Sequence, residues 1–135
     1  MSELLTVLKS QEGFISANGV DAERVAEAEE KLGLKFALDY KEYLLEFGVA
    51  CIDGHEFTGL IDSPHDESVI EVTNRARSKN NFCGDMYVLE DLGIDFAYVW
   101  QKTNGEVYQT VENSKPELVC GSFAEYVEMC DDEDE

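Results

Sequence analysis

The stretch Glu29-Glu30-Lys31-Leu32-Gly33-Leu34-Lys35-Phe36-Ala37-Leu38-Asp39-Tyr40-Lys41-Glu42-Tyr43-Leu44-Leu45-Glu46-Phe47-Gly48 decides the fold, because two helices meet in it. The first is the end of a helix that Asp21 is placed to cap. In it Val25, Ala28 and Leu32 recur at i, i+3 and i+7, and Gly33 stands where a left-handed C-terminal residue is wanted. The opposite face, Glu23, Glu27 and Glu30, is acidic. After an apolar link over 34–37, Tyr40, Tyr43, Leu44 and Phe47 form a complete i, i+3, i+4, i+7 stripe closed by Gly48. An apolar stripe of that kind belongs against a core.

Upstream, residues 2–12 read as a short amphipathic helix carrying Leu4, Leu5 and Leu8, ended by Gly13. Downstream the period changes. Residues 49–52, the pair Asp53-Gly54 and residues 56–61 predict a β-hairpin on a tight turn, which Ser63-Pro64 breaks. A helix is predicted from about 67 to 78, with Val69, Val72 and Ala76 inward and Arg75, Arg77 and Lys79 at the C-terminal end, where cations suit the helix dipole. Beyond an Asn80-Asn81 loop come three strand-like runs, 86–89, 96–101 and 106–111, with Asn104-Gly105 as the turn between the last two. Residues 123–129 predict a closing helix capped by Ser122.

This order gives an α+β fold: a mainly antiparallel sheet flanked by N-terminal helices, a middle helix and a short C-terminal helix. No internal repeat or linker leaves room for a second domain. Residues 1–130 are therefore expected to form one domain, followed by an acidic tail, 131–135, expected to be disordered.

The chain has 135 residues and a formal charge of −20, from 30 acidic against 10 basic side chains. Residues 1–67 carry 15 acidic and 5 basic, and the remainder the same, so the acidity belongs to the body and only slightly to the tail. A phosphate backbone or an anionic membrane surface would be repelled by a field of this sign, so no nucleic-acid or membrane partner is expected. Self-repulsion on this scale destabilises a compact state, and its simplest use is to attract a basic protein, with charge that serves solubility alone as the alternative. The 44% hydrophobic and 10% aromatic fractions nevertheless call for a folded globule. No apolar run reaches the length of a membrane span and no secretory leader is visible, so a cytoplasmic location is expected. Cys51, Cys83, Cys120 and Cys130 show no CxxC spacing and are expected to be free, buried thiols.

Catalytic signatures are sparse. The glycines stand singly, without GxxxxGK[ST] or GxGxxG, and neither an EF-hand nor HExxH occurs. Only His55 and His65 could serve as a base. Cys51 with His55, on opposite arms of the predicted hairpin, is the one nucleophile pair worth naming, and a structural cysteine beside a surface histidine is the simpler reading. His55, Glu56, His65 and Asp66 could supply metal ligands, but without a familiar spacing. Neither metal nor cofactor is expected.

The quoted stretch, a helix ending in Leu32-Gly33, a short apolar link, Asp39-Tyr40-Lys41 and a helix ending at Gly48, resembles the N-terminal signature of the SUKH superfamily, the Smi/Knr-like proteins. Met86-Tyr87-Val88-Leu89 leading to Gly93, then Asp95 to Trp100, Asn104 to Tyr108 and Ser122 to Val127, resemble that family's strands, hairpin and closing helix. The resemblance spans about 20–129. Ala37 stands where the family usually has Pro, and Phe47-Gly48 where Asn-Gly is typical.

The resemblance implies a non-enzymatic binding domain. Bacterial members are largely immunity proteins that neutralise a cognate toxin, often a nuclease, whereas eukaryotic members act as regulatory or scaffolding proteins. An immunity protein covering a basic toxin domain is therefore the leading expectation, and a scaffold binding another host protein is the alternative. The candidate contact residues are Asp53, His55 and Glu56 at the hairpin turn, with Asp85, Glu90, Asp91 and Asp95 from a stretch, 80–98, that has no Lys or Arg.

Overall fold

The computed structural model describes residues 3–60, 68–79, 84–94, 97–112 and 115–133. The Ser63-Pro64 break, His65, Asp66, the Asn80-Asn81 loop, Cys83 and Asp95 lie outside the described residues. The elements are α1 (Glu3–Ser10), β1 (Ile15–Ser16), α2 (Ala22–Leu32), α3 (Leu38–Phe47), β2 (Ala50–Ile52), β3 (His55–Glu56), α4 (Val69–Arg77), β4 (Met86–Asp91), β5 (Tyr98–Lys102), β6 (Val107–Thr110), β7 (Glu117–Cys120) and α5 (Phe123–Glu133). This is the α+β arrangement expected, with two antiparallel sheets, β1-β2-β3 and β4-β5-β6-β7.

The quoted stretch folds as read. Asp21 accepts from the Arg24 amide, and Gly33 takes the left-handed conformation at φ 72° while its N–H reaches Glu29 and Glu30 carbonyls. Gly48 ends α3 at φ 70°, and a Cβ there would lie 2.5 Å from the Asn18 carbonyl oxygen, so the position is closed to other residues. Tyr40, Tyr43, Leu44 and Phe47 are all buried. Ala37, the residue before α3, has φ −64° and makes no side-chain cap; its N–H donates instead to the Tyr87 hydroxyl.

The hairpin differs from its reading. Its turn holds, with Gly54 at φ 81°, but the β2–β3 ladder ends at Glu56. The buried run that follows changes partners: Phe57 N–H still reaches Ala50, whereas Thr58 N–H donates to the Leu89 carbonyl and Leu60 N–H to Gly48. Two short strands, β1 and β7, add to the sheet edges. The closing helix continues past Met129, so Asp131 to Glu133 of the acidic run are helical.

The four-stranded sheet is covered on both faces. One face, with Tyr87, Leu89, Val99 and Val107, joins the main core built by α1, α2, α3, α5 and the hairpin. The other, with Met86, Val88, Tyr98 and Trp100, packs against Val72 and Ala76 of α4. Within the main core the tyrosine hydroxyls tie separate elements together. Tyr43 donates to the Thr58 carbonyl and accepts from Ala50 N–H; Tyr87 accepts from Ala37 and donates to Gln101, whose amide reaches Asp39. Burial pushes the phenols of Tyr40, Tyr43 and Tyr87 well above their usual range, which keeps them as donors.

Candidate functional site

The site begins with an irregularity in β4. Val88 pairs with Trp100 and Glu90 with Val99, which leaves Leu89 as an extra residue in a β-bulge. Strict alternation would send Leu89 and Glu90 to opposite faces. The bulge instead puts both on the main-core face, since Glu90 now stands beside Val99, and it turns Asp91, paired with Tyr98, toward α4. The backbone groups disturbed by the bulge find partners: Thr73 Oγ1 accepts from Val88 N–H, Thr58 Oγ1 donates to the Val88 carbonyl and Thr58 N–H to the Leu89 carbonyl.

Glu90 is thereby sunk to 4% exposure, and two side chains close on its carboxylate. His55 Nδ1, from the first residue of β3, lies 2.9 Å from Oε2 and 3.2 Å from Oε1. The Tyr126 hydroxyl, from α5, donates to Oε1 at 2.5 Å. Burial and then the Glu90 charge hold the Tyr126 phenol far above its ordinary pKa, so it remains a donor. A buried carboxyl that accepts from the Tyr126 hydroxyl and lies against the His55 Nδ1 meets the rule that interior polar groups be hydrogen-bonded.

An open cleft of about 420 Å³ lies over this cluster, lined by Cys51, His55, Glu56, Glu90, Asp91 and Leu92 among others. Of the residues expected to meet a partner, His55, Glu56, Glu90 and Asp91 come together here. Asp53 is exposed at the adjoining turn, with its N–H on the Glu12 carbonyl. Glu56 and Asp91 are exposed, Asp91 beside Arg75 at 3.2 Å. Asp85 is set apart at the opposite end of β4, roughly 20 Å along the strand, where it sits 4.0 Å from Lys102. Glu90 presents no free charge to a partner; it organises the floor.

The Cys51 and His55 pair does not form a nucleophile and base. The register sets Cys51 opposite Glu56 and His55 opposite Ile52, and the His55 Nδ1 is committed to Glu90. Neither Tyr126 nor Cys130 figured among the sequence candidates. Both lie on the inward stripe of α5, where periodicity reads them as core, and only the bulge brings Glu90 to them. Cys51, Cys120 and Cys130 form no disulfide. Among the described residues no helix is long and apolar enough to cross a membrane.

No curated protein matches the chain. A solved structure described as a protein from Pseudomonas syringae pv. tomato is similar in fold, with a TM-score of 0.70, 16% identity and 93% of each chain covered. The profile of the family described as SMI1-KNR4 cell-wall, SUKH_5, matches residues 1–130. The chain, with its capped helix pair, its covered antiparallel sheet and its closing α5, belongs to that family of the SUKH superfamily.

Proposed function

We propose that this protein is a non-catalytic immunity protein, acting in the cytoplasm of the producing cell, that binds a basic toxin domain and covers its active site or substrate groove. The observation that carries this reading is the rim of the cleft. Glu56 and Asp91 are exposed in the lining of a concavity that half-buried Leu92 also lines, and Asp53 is exposed at the adjoining turn. An acidic cleft rim suits a partner that carries Lys and Arg for holding phosphates, as a nuclease does. The net charge of −20 adds long-range attraction to such a partner. Membership in the SUKH superfamily agrees with this role in outline.

The test has two arms. Co-expression with the toxin domain encoded beside the gene should rescue growth. The association rate of the purified pair should then fall by about tenfold or more between low and physiological salt. Glu56→Lys with Asp91→Lys should slow association strongly, and Asp85→Lys only slightly. A rate indifferent to salt, or equal effects of the two charge reversals, would remove the cleft rim from the interface.

A further inference from the structure

We propose that His55, Glu90 and Cys130 form a binding site for a borderline-soft divalent cation, zinc above all, a property that the partner-binding reading does not require. Cys130 lies four residues after Tyr126 on α5, so both side chains leave the helix on one face. It is 1% exposed. One ligand atom from each of the three residues lies within 4.8 Å of the other two.

Tetrahedral zinc, with bonds of roughly 2.0–2.3 Å, holds its ligand atoms about 3.3–3.8 Å apart. The widest separation in the cluster therefore has to close by at most about 1.5 Å, and the 2.9 Å contact between His55 and Glu90 has to open by about half an ångström. Both are within the reach of small side-chain rotations. Imidazole nitrogen, carboxylate oxygen and thiolate sulfur make a set that zinc takes, whereas magnesium and calcium demand oxygen alone.

The surroundings add what a ligand set needs. Tyr126 holds the second oxygen of Glu90, as outer-shell donors orient metal-binding carboxylates. The cleft reaches His55 and Glu90, which gives an entry path and room for a water at the fourth position. On binding, the Cys130 thiol gives up its proton to solvent, and His55 offers a bare nitrogen, carrying any proton on the other one. The dication is then neutralised by one carboxylate and one thiolate.

Titration of the metal-free, reduced full chain with zinc against a chromophoric chelator, and with cobalt(II) as a spectroscopic probe, tests the site without any partner. One equivalent should bind, and the cobalt complex should show a thiolate-to-metal charge-transfer band. His55→Gln and Cys130→Ser should each weaken zinc binding at least tenfold, Tyr126→Phe by about tenfold, and Cys120→Ser not at all. Since Cys130→Ser removes a core group, the wild-type cobalt spectrum and His55→Gln decide the matter if that variant does not fold. Several weak equivalents without the band, which a diffuse acidic surface would give, would overturn the proposal. So would a band lost in Cys120→Ser, or zinc affinity unchanged in His55→Gln.

Discussion

The two faces of the four-stranded sheet are held in different ways. On the main-core face, aromatic rings meet and their hydroxyls reach the backbone of other elements, so Tyr43 joins α3 to the segments at Ala50 and Thr58, and Tyr87 joins β4 to the start of α3. On the α4 face the packing is Val72, Ala76, Met86, Val88, Tyr98 and Trp100, with one buried tie to the helix among the described residues, from the Val88 N–H to Thr73 Oγ1, and further polar attachment along the margin. There Arg77 donates to the carbonyls of Leu32, Gly84 and Met86, and Val69 N–H to Gly59. An interior fastened by hydroxyls has one arrangement in which every group is satisfied. A face with a single buried tie and its other polar bonds at the rim can open locally while the rest of the molecule stays folded.

The largest effect that would break this comparison is Phe123→Ala. The ring is fully buried and touches those of Tyr40, Tyr43 and Phe57, so the loss should be about 3–5 kcal/mol, read from denaturant unfolding, with α4 melting together with the core. An intermediate effect is expected from Tyr43→Phe. It leaves the Thr58 carbonyl and the Ala50 amide buried without their partner and should cost about 1–3 kcal/mol, although the ring itself is kept.

The smallest effect belongs to the other face. Ser68 caps α4 in a reciprocal capping box with Glu71, and Ser68→Ala should cost about 1 kcal/mol, with faster amide exchange in α4 and no change in α3. Equal acceleration in both helices would show that the two faces open as one. The hydrogen bond from Ser68 is the main cause that holds the Glu71 carboxyl below its usual pKa. A depressed pKa in the folded state adds stability that is present above the unfolded value and lost as pH falls through the folded one. The gap between wild type and Ser68→Ala should therefore narrow in acid, and a gap that widens would contradict the capping-box account.

The helices were legible because their burial follows the 3.6 period. Leu4, Leu5 and Leu8, then Val25, Ala28 and Leu32, then Tyr40, Tyr43, Leu44 and Phe47, are buried as read. β1 and β7 left no such trace: Ile15 and Ser16 are both exposed, and Leu118 of β7 is 60% exposed, so neither strand alternates. The run 57–60 looked like a long hairpin arm because it is apolar, but its amides divide between Ala50, Leu89 and Gly48. At the site, the hairpin turn and the acidic rim could be read directly. The role of Glu90 could not, because a period-two reading of β4 misses the bulge that turns it inward, and its partners His55 and Tyr126 lie 35 and 36 residues away.

Ala37 carries a consequence for how this sequence can drift. Its φ of −64° is the angle that proline imposes, and proline at a compatible position gains roughly 0.4–1 kcal/mol by restricting the unfolded chain. The same exchange here removes the N–H that donates to the Tyr87 hydroxyl, and where an amide is engaged the loss exceeds the gain. The sign of the substitution thus depends on a residue fifty positions away. Tyr87→Phe alone also leaves buried groups unmet, the Ala37 N–H and the Gln101 oxygen, so the two positions are coupled and the combined exchange should cost less than the sum of the two single ones.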